Sequence, residues 1–339
     1  MNFRGFRRSA VAAALLGLIL PRASVAAQSC PATITSCGCT IDAPGRYTVG
    51  ALLIGSAGAD CIAITSHHVA LDLQGNPIAG PGAPDDVSSS GIHAKLSAHH
   101  VTIRGSGAAI SGFGFGLEIE ASHVTAKNFT TTDDDLDGVV LDGAHYGHIA
   151  DFRTGNNADL GVVLEGGSQN NVEGVEANNN GHDGILFSSS VFCIASPFPN
   201  SCACVLVRDG YENALARVEA NNNGHDGIAV TGASRNRIAN FTADSNGSDG
   251  VSASQVFCPP SCICTPRSRP ARHNSIENGE ASSNGTYGIG MDQGSRRTRV
   301  TGNTTSANGT EDLFDFNPDC DHDRWKDNTF ATSNRGCIH

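Results

Sequence analysis

The chain has 339 residues, a formal net charge of −12, 40 glycines, 12 cysteines and only 6% aromatic residues. A chain this acidic repels a phosphate backbone, so nucleic acid is excluded as the expected partner. Abundant glycine with few aromatics is unusual for a compact globule and ordinary for a solenoid.

Residues 1–27 read as a secretory signal. Arg4, Arg7 and Arg8 precede an apolar run at 10–20, and the small residues Val25 and Ala27 follow, so cleavage is expected after Ala27. The run is shorter than the ~20 residues a membrane span needs, and no later segment approaches that length. Removing the leader takes away four arginines and leaves the mature chain more acidic still. The expected product is secreted or periplasmic. All twelve cysteines lie beyond Ala27 and are expected in disulfides, because that compartment is oxidising.

Residues 28–58 hold Cys30, Cys37 and Cys39, with Cys61 just beyond, and read as a disulfide-stapled N-terminal cap. Residues 59–317 are repetitive. DDDLDGVVL, NADLGVVL, NGHDGILF, NGHDGIAV, NGSDGVSA and NGTYGIGM align on Gly138, Gly161, Gly184, Gly227, Gly250 and Gly288. From Gly116 the steps are 22, 23, 23, 43, 23 and 38 residues, so two rungs carry insertions, at 190–207 and 255–271. Short alternating runs separated by turn residues predict strands, three to a coil. The expected fold is all-β, a single-stranded parallel β-helix of about nine rungs with disulfide-stapled caps.

Ile185, Ile228, Val251 and Ile289 fall in one inward column, and Val172, Leu215, Ile238, Ile276 and Val300 in another. Asn157, Asn180, Asn223, Asn246, Asn284 and Asn308 share a register, as do Asn170, Asn213, Asn236 and Asn274. Stacked amides can bond to one another and to turn backbone.

The insertions VFCIASPFPNSCAC and VFCPPSCIC leave the same corner one rung apart. Each has three cysteines: Cys193, Cys202 and Cys204 in the first, Cys258, Cys262 and Cys264 in the second. The odd counts suggest one bridge within each loop and one between them, with zinc on the C-x-C pairs as the rival. Residues 318–339 form the C-terminal cap, closed by Cys320 and Cys337 with Trp325 plugging the last rung.

The repeated NGHDGI places His182, Asp183, His225 and Asp226 on adjoining rungs, with Asp249 one rung further. Carboxylates about 4.8 Å apart cannot all ionise cheaply, so a proton is shared or a cation binds. The four His and Asp residues are candidate catalytic acid/base groups and Asp249 a candidate calcium ligand. The alternative is turn chemistry duplicated with the repeat. Arg235, Arg267, Arg269 and Arg272 make a local cationic patch suited to binding carboxylate or sulfate groups.

The N-G-x-D-G-I rungs resemble the right-handed parallel β-helix proteins of the pectate-lyase-like superfamily over residues ~59–317. Right-handedness and an acidic polysaccharide partner are what that resemblance implies. ADCIAI resembles part of a polygalacturonase motif with its aspartate pair reduced to Asp60. GHDGI resembles alginate epimerase rungs without their Asp-Pro-His segment. Two functions are therefore expected: a lyase or epimerase on a uronate polymer, or a non-catalytic glycan-binding surface or matrix protein.

Overall fold

The computed structural model describes residues 28–82, 87–195, 202–257, 262–265 and 268–339, with backbone alone for the described parts of 191–208 and 257–269. The leader expected at 1–27 lies outside the described residues. Each period folds into short strands that pair in parallel with the strands one period away. Twelve strands stack as a first sheet, from Gln28–Ser29 to Glu311–Asp315. A second sheet of 16 strands runs from Thr33–Ile34 to Arg324–Lys326.

Ile185 lies opposite Ile228, Ile228 opposite Val251 and Val251 opposite Ile289, all fully buried. The column from Val172 to Val300 pairs in the same way. Each added rung therefore buries its apolar residues on the one before it. Among the described residues the only helix is the 3-10 turn Pro318–His322.

The solenoid has about eleven turns, not nine. The two ends account for the difference. Cys39–Ile41 pairs with Ile62–Ile64, and Gly45–Val49 with Val69–Asp72, so the stretch expected as a cap is itself stacked. These turns lack the N-G-x-D-G marker because the asparagine ladder it serves begins further along the chain.

Disulfides Cys30–Cys39 and Cys37–Cys61 staple the first turns, and Cys320–Cys337 closes the tail. Trp325 is buried opposite Val300, and its indole N–H donates to Asp315 Oδ2 at 3.1 Å. The insertions meet. Ser190–Ala195 and Cys202–Arg208 form a hairpin, and Cys262–Thr265 adds to it in parallel, with Cys202 opposite Cys262 and Cys204 opposite Cys264. Cys258 lies outside the described residues, as do the side chains of Cys193, Cys202, Cys204, Cys262 and Cys264.

The asparagine column is a continuous ladder. Asn157 Nδ2 donates to Asn180 Oδ1 at 2.9 Å, and each further step to Asn308 is 3.0 Å. Asn308 ends on Asp312 Oδ1, also at 3.0 Å. The ladder explains the glycine that follows each aspartate: a Cβ on Gly184 or Gly227 would stand 2.7 Å from the next ladder amide. Asparagine, aspartate and glycine in this motif are thus one structural unit.

Asp134 occupies the ladder's first position. Its amide N–H donates to Asn157 Oδ1, and its own Oδ2 is buried without a partner. A neutral carboxylic acid there can donate to the ladder, whereas a carboxylate cannot. Burial above all, with Asp133, Asp135 and Asp137 nearby, pushes Asp134 up to about 8. A carboxyl raised above its unfolded pKa of ~4 loses its contribution to stability as pH rises from 4 towards 8. Asp134→Asn keeps a neutral donor at every pH. It is expected to leave stability nearly unchanged at pH 5 and to raise it by about 1–3 kcal/mol at pH 9, measured by urea unfolding.

Candidate functional site

On the outer face of the first sheet, side chains alternate away from the core. His93, Glu118, Val140, Val163, Leu186, Ala229, Ser252, Gly290 and Phe314 lie opposite one another in sequence, as a single outward row. Beside it runs the row preceding the reference glycines, where Asp183, Asp226, Asp249 and Tyr287 follow each other. The four form a backbone-anchored ladder of three steps. The N–H of Asp226 donates to Asp183 Oδ1 at 2.9 Å, that of Asp249 to Asp226 Oδ1 at 3.0 Å, and that of Tyr287 to Asp249 Oδ1 at 3.1 Å.

The two histidines stack beside this row, ring centroids 4.7 Å apart and nearly parallel. His182 Nδ1 is 3.1 Å from Asp183 Oδ2, and His225 Nδ1 is 3.0 Å from Asp183 Oδ1 and 3.3 Å from Asp226 Oδ1. All four predicted His and Asp residues therefore meet, and the structural ladder and the charged cluster are the same residues. Hydrogen bonds to Asp183 and Asp226 raise His225 to about 10, and the Asp183 bond raises His182 as well. Burial works to raise Asp183, but the two imidazoles outweigh it and hold it below the usual carboxylate range. At neutral pH the cluster presents the His225 imidazolium, with His182 stacked on it, over a buried anionic base. The His225 side chain is half exposed and that of Asp183 only 5% exposed, so the His225 cation is what a ligand meets.

Asp249 is different. Burial, with the Asp226 charge next, pushes it up to about 8. Asp292 is raised by burial and by Asp226, and Tyr287 by burial and by Asp249. Ser252 Oγ donates to Asp226 Oδ2 at 2.6 Å, so both Asp226 oxygens are occupied. Calcium takes six to eight oxygen ligands. The carboxylates around Asp249 have one oxygen committed to Tyr287 N–H and both of Asp226 committed, with the His225 cation acting on Asp249. These hydrogen bonds leave few carboxylate oxygens free for such an ion. Ala229, Ser252 and Gly290 keep the outward row low between Leu186 and Phe314. A Cβ on Gly290 would meet Asp249 Oδ2 at 3.0 Å. Tyr287 stacks on Phe314 at 4.1 Å beside these small residues.

Arg235 and Arg272 lie on the corner that follows the first sheet, Arg272 bridged to Ser234 on one side and Arg296 on the other. Arg235, Arg272, Arg296 and Arg297 all act on His273 and, after desolvation, hold it below the ordinary histidine value. The sheet's width, roughly 13 Å for four residues, separates them from the His-Asp row. Arg267 lies outside the described residues, and Arg269 is described by backbone alone in Ser268–Arg269.

The sequence reading missed a second polar cluster on the same face. Asp60 Oδ2 meets Lys95 Nζ at 2.8 Å and His93 Nδ1 at 3.2 Å, and His93 Nδ1 lies 3.3 Å from Glu118 Oε2. Burial tends to raise Asp60, but His93 and Lys95 prevail and hold it at about 2. The legible signal was two outward charges on each of two strands, His93 and Lys95, then Glu118 and Glu120. Leu136, Phe115, Val140, Leu160, Val163 and Leu186 form an apolar strip between the two clusters.

A family model described as "Right handed beta helix region" matches residues 61–197 and 192–320, more than half of the chain. The chain belongs to the right-handed β-helix family. Among solved structures it is similar to the mannuronan C-5 epimerase AlgE4 A-module of Azotobacter vinelandii, with TM-score 0.64 and 14% identity, covering 88% of this chain and 86% of that one. It is also similar to a mutant of the periplasmic alginate epimerase AlgG, with TM-score 0.52 and 13% identity, covering 84% of this chain and 62% of that one. The Dettilon tailspike protein matches with TM-score 0.52 and 14% identity, covering 84% of this chain and 60% of that one. The chain thus spans less than two thirds of the last two proteins. At these identities the likeness is one of fold. No curated protein matches the sequence.

Proposed function

We propose that this protein is an exported carbohydrate-active enzyme acting at C-5 of a uronate residue in an acidic polysaccharide, as an epimerase or a lyase. One observation carries the reading: the His225 imidazolium, with His182 stacked on it, stands on the row beside the small residues Ala229, Ser252 and Gly290, with a proton-bearing Asp249 next to Tyr287. Removing a proton α to a carboxylate needs that carboxylate's charge neutralised and a base nearby. The histidines supply the cation, and Asp183 and Asp226 hold them in place. The deprotonated fraction of Asp249, which grows as pH rises towards 8, takes the C-5 proton, and Tyr287, which burial and Asp249 keep protonated, is the acid. A proton delivered by Tyr287 to the opposite face inverts C-5, whereas departure of the 4-linked oxygen with that proton leaves an unsaturated sugar. Arg235 and Arg272 would hold carboxylates of neighbouring residues across the sheet. Polymer-acting epimerases among the similar folds support the substrate class. Three disulfides among the described residues support export, and no described helix is long and apolar enough to cross a membrane.

The test is proton NMR of the protein with polymannuronate, pectate and glycosaminoglycans, with and without a chelator. Inverted or unsaturated uronate signals are expected with one polymer, insensitive to chelator. Asp249→Asn and Tyr287→Phe should reduce them by roughly 100-fold with folding intact. Binding to a polymer with no change in its signals would favour the glycan-binding alternative instead.

A further inference from the structure

The corner between the first and second sheets carries a histidine cluster that the proposed reaction does not use. His67 and His68 stand on one turn, His99 and His100 on the next, and His123 on the one after, all exposed. Their backbones are locked together: His68 N–H donates to His99 O at 3.0 Å and His100 N–H to Ser122 O at 3.3 Å. Ring centroids are 5.1 Å apart for His67 and His68, 5.1 Å for His67 and His99, 5.2 Å for His68 and His100, and 5.3 Å for His99 and His100. Four imidazoles around one tetrahedral ion, each nitrogen about 2.0 Å from it, place their ring centroids roughly 5 Å apart. Four sides of the tile have that spacing and the His68–His99 diagonal is 6.1 Å, so exposed χ angles must turn both to close the tile and to aim the nitrogens inward.

We infer that His67, His68, His99 and His100 form a binding site for a divalent transition-metal ion of the zinc, copper or nickel class. Imidazole nitrogens suit those ions and not calcium or magnesium. The fixed backbone spacing means the ion would bind without refolding and would clasp two turns of the solenoid edge.

The inference is independent of the proposed reaction and is tested with the metal alone. Titrating the full mature chain with Co2+ at pH 7.5 should give the visible bands of a tetrahedral nitrogen site at one ion per chain, displaced by Zn2+. His67→Ala/His99→Ala, chosen because neither residue has positive φ, should weaken Zn2+ at least tenfold in calorimetry while the melting curve of the metal-free protein stays unchanged. His68→Asn/His100→Asn should do the same, since asparagine tolerates the positive φ of 51° and 55° found there. His182→Ala/His225→Ala should leave binding intact. Absence of binding at millimolar Zn2+, or its loss only in the His182/His225 variant, would overturn the assignment. So would full affinity in the first two variants.

Discussion

Asn223→Ala is expected to lower the unfolding free energy by about 3–5 kcal/mol, a loss of the size usually reserved for a large core side chain. Asn223 Oδ1 accepts from both the amide N–H and Nδ2 of Asn180, each at 3.0 Å, and its Nδ2 donates to Ala177 O at 3.1 Å and Asn246 Oδ1 at 3.0 Å. The residue is only 2% exposed. Truncation strands two donors and one backbone carbonyl where water has little access, and each unsatisfied group costs about 1–3 kcal/mol. Asn246 Oδ1 is spared, because Asn223 N–H still donates to it. A water entering the vacated space would recover part of the loss, which is why the sum stays near the lower figures. Urea unfolding should show the midpoint falling with little change in slope. Asn308→Ala, at the partly exposed end of the ladder, should cost only about 1–2 kcal/mol by the same measure. Equal losses at the two positions would mean that burial of the ladder does not set its energetics.

That contrast also explains how much could be read beforehand. The asparagine columns, the inward aliphatic columns and the meeting of His182, Asp183, His225 and Asp226 were all legible, because a parallel solenoid converts sequence period directly into contact. Adding one period across the first insertion was enough to stack His225 on His182. Where residues do not repeat, the same logic fails. Asp60, His93, Lys95 and Glu118 come together through spacings of 33, 35 and 25 residues, none of them the common 23-residue step, and no two share a repeated word. The corner histidines escaped notice for a different reason: they sit in turns, where the repeat constrains backbone conformation but not side-chain type. Positive φ recurs at His68, His100, His123, Tyr146, Gln169, Glu212, Arg235, His273 and Arg297, a column alike in backbone and diverse in chemistry. The turn count was short for a related reason, since the first turns are built from the same strand pairings without the asparagine ladder that marks the others. Periodicity therefore reported packing well and left the non-repeated chemistry unread.

Asp183→Asn is expected to dismantle the charged cluster while leaving its scaffold standing. The asparagine oxygen can still accept the Asp226 N–H, so the ladder step survives. What disappears is the anion shared by His182 and His225. In the wild-type protein, His225 should remain protonated in imidazole-detected NMR to pH 9 and titrate near 10. In the variant its pKa should drop by two units or more, and His182 should fall with it. The stability consequence has a defined window. A histidine raised above its unfolded value near 6.5 contributes fully below that pH and loses the contribution as pH climbs towards 10. A depressed aspartate contributes fully above its unfolded value near 4 and loses the contribution as pH falls through its folded value. The variant should therefore be least stable relative to wild type between about pH 4 and 6.5 and converge on it above 10. Within that window the difference should be about 1–3 kcal/mol, below the figure for a fully buried pair because half of the His225 side chain is in solvent. Activity on a uronate polymer at pH 7.5 should fall roughly 100-fold, since neutral imidazoles no longer offset the substrate carboxylate. Lowering the pH to 5.5 should recover part of it by restoring the cations. A variant whose activity is low and flat across that range would mean that Asp183 serves the fold alone, and that the cations at His182 and His225 are not what the reaction uses.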